Sequence, residues 1–250
     1  MSSCPKEKLA VHCLKKSFGD LAVLEDVTFR VRENELVSLL GLSGSGKSTV
    51  FNIIAGLIRP DAGRVLIDGE DSTGVTGRVS YMYQKDLLLP WKNVVDNVSL
   101  PLVIKGLPKP AARAEAGAYL ATFGLAGFEK HYPFQLSGGM RQRAALLRAF
   151  LCSRDLMLLD EPFGGLDAIT KLKMEGWLLQ VLEQLHSTVL FITHDIEEAL
   201  FLSDRIYILS PEKPARVKSE FRVEFPKPRS LELTASPEFI ALKKAIFHAL

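Results

Sequence analysis

An α/β core interrupted by a helical block is the fold class the sequence predicts, and three observations predict it. Residues 35–40 form a short apolar run, followed by a glycine-rich stretch and by helix-period residues 48–55 that stop at Gly56. Strand patterns fill the first 84 residues, helical patterns take over from 85 to about 154, and strands return afterwards. The returning strands, at 156–159 and 188–193, are each followed by helix-period sequence, as in parallel βα units.

Taken in order, residues 9–14 and 23–31 read as strands of a β-rich opening, joined through Phe18-Gly19-Asp20. Phe18 is the one aromatic of that connection. The strand at 35–40 leads into Gly41-Leu42-Ser43-Gly44-Ser45-Gly46-Lys47-Ser48-Thr49, which matches the phosphate-binding pattern G-x-x-x-x-G-K-[ST]. Its glycines let consecutive backbone N–H groups turn inward as an anion nest, and the following helix start adds unpaired N–H groups and a positive dipole end. Lys47 would reach the β- and γ-phosphates, and Ser48 would offer its hydroxyl to Mg2+. A nucleoside-triphosphate site follows from strand, loop and helix in that order.

Beyond Gly56, Arg59-Pro60-Asp61-Ala62-Gly63 is a turn, 64–67 a strand, Asp68-Gly69 a second turn and 79–83 a strand ending at Gln84. Helical stretches follow at 93–104, interrupted by Pro101, at 110–123, stopped by Gly124, and from about Gly138 to Phe150. Residues 205–209 read as a strand, 211–230 as a loop or edge strand with four prolines. Ser236-Pro237-Glu238 caps a closing helix with apolar positions at Phe239, Leu242, Ile246 and Leu250.

Composition narrows the class of function. Of 250 residues, 47% are hydrophobic and 24% charged, as in globular proteins, and a net charge of +2 gives no ground for a nucleic-acid partner. Three cysteines, Cys4, Cys13 and Cys152, stand at unrelated spacings, which fits a reduced compartment. Lys6, Glu7 and Lys8 make the N-terminus polar, without an apolar leader, and no apolar run approaches the ~20 residues of a membrane span. A role at a membrane would therefore pass through a partner.

Two further motifs carry chemistry. Leu156-Met157-Leu158-Leu159-Asp160-Glu161-Pro162 delivers adjacent carboxylates to a strand's C-terminal end, where ligands of α/β sheets gather. Side chains alternate along a strand, so the two can take different roles: Asp160 in the Mg2+ sphere, Glu161 orienting or deprotonating the attacking water. Leu136-Ser137-Gly138-Gly139-Met140 is a second helix start able to receive an anion, with Ser137 as N-cap. Two such sites either hold two phosphates or share one with a neighbouring copy.

These motifs, with Gln84, Gly165-Leu166-Asp167 and His194, occur in the order found in ATP-binding cassette proteins. The chain resembles the nucleotide-binding subunit of an ABC transporter over about residues 8–210. Methionine ends the signature where glutamine is usual, Gly164-Gly165 stands where serine or glycine and alanine are commoner, and Phe18 replaces a tyrosine.

The resemblance implies a P-loop NTPase (RecA-like) core with an N-terminal antiparallel β subdomain and an inserted α-helical signature subdomain. In those terms the core takes 1–84 and 155–210, the insertion 85–154 and a C-terminal extension 211–250. Phe18 would stack the adenine, and Gly41, Ser43, Gly44, Ser45, Gly46, Lys47, Ser48 and Thr49 would hold the phosphates of ATP. Ser48, Gln84 and Asp160 would serve Mg2+, while Glu161, His194, Gln84 and Lys47 would be catalytic. Ser137, Gly138, Gly139 and Asp167 would act across a homodimer formed on ATP binding, leaving His12, His131, His186 and His248 as ordinary residues.

Partners are implied as well. Lys85-Asp86-Leu87-Leu88-Leu89-Pro90-Trp91 is unusually apolar for a loop, through core packing or as a groove. In the family, the stretch beginning at Lys85 and reaching about Lys105 receives the transmembrane permease subunits. An extracytoplasmic solute-binding protein would act indirectly, placing the chain peripherally on the cytoplasmic face of the membrane. The stretch 88–94 most resembles the nitrate, sulfonate and taurine importer branch, which includes carriers of thiamine precursors. A cluster-assembly ATPase and a P-loop small-molecule kinase are the alternatives.

Overall fold

The computed structural model describes residues 6–250, so Cys4 lies outside the described residues. β1 (Glu7–Phe18) and β2 (Leu21–Arg32) form an antiparallel hairpin. β3 (Leu36–Leu40) is buried at every position and feeds the glycine loop and α1 (Lys47–Ile54). β4 (Ala62–Ile67) pairs with β1, and the two-residue β5 (Glu70–Asp71) with β4, giving an antiparallel sheet of order β2-β1-β4-β5.

After β6 (Ser80–Met82) comes a helical block: α2 (Val94–Val98), α3 (Leu100–Ile104), α4 (Lys109–Leu120) and α5 (Gly138–Cys152). The chain returns through β7 (Leu156–Asp160), α6 (Ala168–Leu185), β8 (Thr188–Thr193), α7 (Ile196–Leu202), β9 (Arg205–Leu209), β10 (Val217–Arg222) and α8 (Pro237–Ala249). The central sheet has the order β10-β9-β3-β8-β7-β6. Its inner strands are parallel, and β10 lies antiparallel on the edge.

Alternation along the strands divides the interior in two. Val37 and Leu39, Leu156 and Leu158, and Leu190 and Ile192 pack with α1 and the antiparallel sheet. Leu36 and Leu40, Met157 and Leu159, and Val189 and Phe191 pack against the helices of the opposite face. A parallel sheet covered on both sides needs these near-continuous apolar strands.

The structure refines several expected elements. The helix expected at 93–104 is two short ones, because Pro101 has no N–H for the ladder and its ring crowds the preceding turn. The strand expected at 79–83 is confined to Ser80–Met82. Within 211–230, residues Val217–Arg222 pair with β9, so that stretch does hold an edge strand. Ser236 caps α8 by accepting from the Phe239 N–H, and Phe239 and Ile246 are buried as expected. No described helix is long and apolar enough to cross a membrane.

Candidate active site

The glycine loop spans the gap between β3 and α1, and two of its glycines have positive φ, 81° at Gly44 and 93° at Gly46. At Gly46 the requirement is also steric: an added Cβ would come within 2.8 Å of the Leu24 side chain. Gly46 is the N-cap of α1 and supplies no side-chain acceptor, so the first-turn N–H groups are left to an outside anion. Ser45 adds a buried hydroxyl with no partner in the chain.

Lys47 curls back over the loop and donates to the carbonyls of Gly41 and Leu42, at 2.7 and 2.8 Å. Burial pulls its pKa down, while the charges of Glu161 and Asp160 oppose that shift. The ammonium is thus held by two neutral carbonyls beside the unpaired N–H groups of the loop.

β7 places its carboxylates as its alternation requires. Asp160 continues the face of Leu156 and Leu158, toward α1, and accepts from the Tyr81 hydroxyl at 3.3 Å. Burial pushes the Asp160 carboxyl above its ordinary range, with hydrogen bonds from Tyr81 and Ser48 and the Lys47 charge pulling the other way. Burial and the Asp160 charge likewise raise the Tyr81 pKa.

Glu161 follows with a left-handed backbone, φ 43°, pinned by Glu161 N–H donating to the Ile192 carbonyl at 3.0 Å. Such a conformation costs a residue with a Cβ about 1–2 kcal/mol. It turns the carboxylate to a different side from Asp160. Gln84 donates its amide N–H to Glu161 Oε2 at 3.0 Å, and His194 Nδ1 lies 3.1 Å from Oε1. Because a carboxylate only accepts, this contact assigns the proton to Nδ1.

Lys47, Gln84, Glu161 and His194 share an open cleft of about 520 Å³, lined also by Phe18, Val23, other residues of the glycine loop, Ile192 and Lys213, while Asp160 is not part of its lining. Phe18 is half exposed, and Lys16 sits over its ring with Nζ 5.4 Å from the centroid. Sequence reasoning missed two residues: Lys213, which lines the cleft, and Tyr81, which does not line it but bonds Asp160. Tyr81 meets Asp160 from 79 positions away. Lys213 reaches the cleft because Ala215 pairs with β2, exchanging hydrogen bonds with Val23 and Glu25. Neither pairing leaves a local pattern.

Ser137, Gly138, Gly139 and Asp167 do not line this cleft. Ser137 is the N-cap of α5, its hydroxyl accepting from the Met140 N–H at 3.3 Å. Asp167 caps α6 by accepting from the Thr170 N–H at 3.0 Å, and the Thr170 hydroxyl together with that N–H lowers its pKa. Arg141 links the α5 start to the loop after Gln84, donating to Asp86 at 3.2 Å and to the Leu136 carbonyl at 2.9 Å. Arg148 donates to the Asp86 and Leu87 carbonyls from the same helix.

A family model described as ABC transporter matches residues 24–164. The chain is 47% identical over 216 residues to the formylaminopyrimidine import ATP-binding protein ThiZ of Halalkalibacterium halodurans, covering 86% of this chain and 84% of that protein. It is 41% identical over 229 residues to the taurine import ATP-binding protein TauB of Yersinia pestis, covering 89% of each. Among solved structures, a dimeric form of MJ0796, a bacterial ABC transporter cassette, superposes with a TM-score of 0.74 at 31% identity, over 87% of this chain and all of that one.

Proposed function

The chain belongs to the ABC transporter ATP-binding family, whose import subunits are ATPases coupled to transport, and from that premise we propose the cargo class, site roles and partners of this member. The cargo is a nitrate-, sulfonate- or taurine-like anion or a thiamine-precursor-like solute. The identities to the formylaminopyrimidine and taurine import subunits support that class.

In the proposed chemistry, Glu161 is the general base. The observation that carries it is the Glu161 carboxylate, gripped by Gln84 on one oxygen and His194 on the other at the mouth of the phosphate loop. A carboxylate fixed on both oxygens can orient a water in line with a γ-phosphate. Lys47 moves from the loop carbonyls to the β- and γ-phosphates, the loop N–H groups receive the phosphate oxygens, and the Phe18 ring stacks the base. His194 Nε2 contacts the γ-phosphate.

Mg2+ fits the donors present. Asp160 and the Ser48 hydroxyl stand near each other, Gln84 spends its N–H on Glu161 and keeps its amide oxygen, and all three groups offer oxygen ligands. Bound there, the ion neutralises charge on the β- and γ-phosphates.

Ser137, Gly138 and Gly139 would complete the site of a second copy, with Asp167 facing across the same interface. Their place outside this chain's own cleft supports that arrangement. The permease would contact the stretch around residues 85–105, where Leu87, Trp91 and Ile104 are exposed. A solute-binding protein would act at a distance, and the chain would sit peripherally on the cytoplasmic membrane face. Residues 1–84 and 155–210 are proposed as the core with its β subdomain, 85–154 as the inserted helical subdomain and 211–250 as an extension.

Steady-state turnover of Glu161→Gln tests the assignment of the base. We expect kcat to fall about 10²–10⁴-fold with MgATP affinity retained. Near-normal turnover would remove Glu161 from that role.

A further inference from the structure

We propose that Lys171, on α6, is the positioning residue that holds His194 against Glu161. This rests on the roles given to His194 and Glu161 above.

His194 is a single exposed residue between β8 and α7, so its place depends on its two neighbours. On one side, Thr193 is fixed in the sheet, opposite Leu40 at the start of the glycine loop. On the other, Asp195 is the N-cap of α7 and accepts from the N–H groups of Glu197 and Glu198 at 2.8 and 3.3 Å. The Asp195 N–H donates to the Thr193 hydroxyl at 3.0 Å, closing a tight loop around His194.

Lys171 holds that loop from outside. Its ammonium donates to Asp195 Oδ2 at 2.6 Å and pairs with Glu198 Oε2 at 2.9 Å and Glu175 Oε1 at 3.8 Å. Among the described residues, Lys171 is the one cation within 4.0 Å of any of these three carboxylates. Glu175 and Glu198 are buried, and the second oxygen of Glu198 has no partner at all. One cation against three carboxylates is more charge than a helix contact needs. Buried carboxylates stay ionised only when paired, so without Lys171 each must take up a proton or turn toward water.

The relief available is for Asp195, the most exposed of the three, to turn to water and abandon the α7 cap. His194 would then lose its anchor. The same lysine donates its backbone N–H to the Asp167 carbonyl at 2.8 Å. A side chain in the first turn of α6 thus ties the segment facing a second copy to the histidine loop.

The test is steady-state ATPase of Lys171→Met and Lys171→Arg, each alone and with His194→Ala, together with MgATP affinity and the 15N imidazole spectrum of His194. We expect Lys171→Met to lower kcat roughly tenfold with MgATP affinity changed less than about twofold, and Lys171→Arg to recover most of the loss. In the His194→Ala background, Lys171→Met should cost nothing more. In the single variant Lys171→Met, the His194 Nδ1 resonance should move off the hydrogen-bonded position. Unchanged kcat in Lys171→Met, or an equal loss in both backgrounds, overturns the positioning role. If His194→Ala alone leaves kcat intact, the role given to His194 fails, and an unmoved imidazole spectrum in Lys171→Met would separately reject the anchoring.

Discussion

At the residue scale, the site rests on a few side chains placed under strain or without full hydrogen bonding. Glu161 sits at φ 43° and Ser45 keeps an unpartnered buried hydroxyl, while Lys47 makes do with two loop carbonyls. Lys47→Ala should weaken nucleotide binding about 10–100-fold by calorimetry, the worth of a charge-assisted hydrogen bond lost from a part-buried site. An unchanged dissociation constant would mean the ammonium never leaves the carbonyls. These residues were legible because each stands in a short local pattern: a glycine loop, paired carboxylates ending an apolar strand, a histidine after another. Tyr81 and Lys213 were not, since their contacts come from pairings 79 positions away or through the returning edge of β2.

At the element scale, periodicity located most strands and helices, and the misses have local causes. Pro101 splits one expected helix into α2 and α3. The extra order lies in Asn97, buried between them and the preceding loop, where its amide meets the Leu89, Lys92 and Asn93 carbonyls and the Leu89 N–H. On α6, Lys171 and Glu175 stand four apart like any surface ion pair, and only the arrival of α7 buries them. There burial, with the Glu198 charge adding to it, pushes the Glu175 carboxyl up to about 7 from 4.5. The folded state therefore holds a proton on Glu175 that the unfolded chain has already lost. Stability contributed by that group falls as pH rises from about 4.5 to about 7. Glu175→Gln should accordingly raise stability at pH 8 by on the order of 1–3 kcal/mol and make little difference at pH 4.5, as read by denaturant unfolding. Equal effects at both pH values would show that the carboxylate is not strained.

At the scale of the whole molecule, one sheet separates an α1 side, where the phosphates are proposed to bind, from a helical side that carries Trp91, 72% exposed, on the loop after Gln84. Arg141 and Arg148 fasten that loop to α5, whose first residues are the proposed contact for a second nucleotide. Under the proposed roles, these bonds would join nucleotide state to the outer loop. Trp91→Glu should leave basal ATPase near wild type while abolishing co-purification with the permease, and undiminished capture would move that interface elsewhere. Everything depends on ATP being held by two copies at once. The most direct test is the solution mass of Glu161→Gln with saturating MgATP by sedimentation velocity, with and without Ser137→Arg. Glu161→Gln should double the 27.7 kDa monomer, and adding Ser137→Arg should keep it monomeric with nucleotide still bound. A Glu161→Gln protein that stays monomeric, or a dimer indifferent to Ser137→Arg, would contradict the shared site.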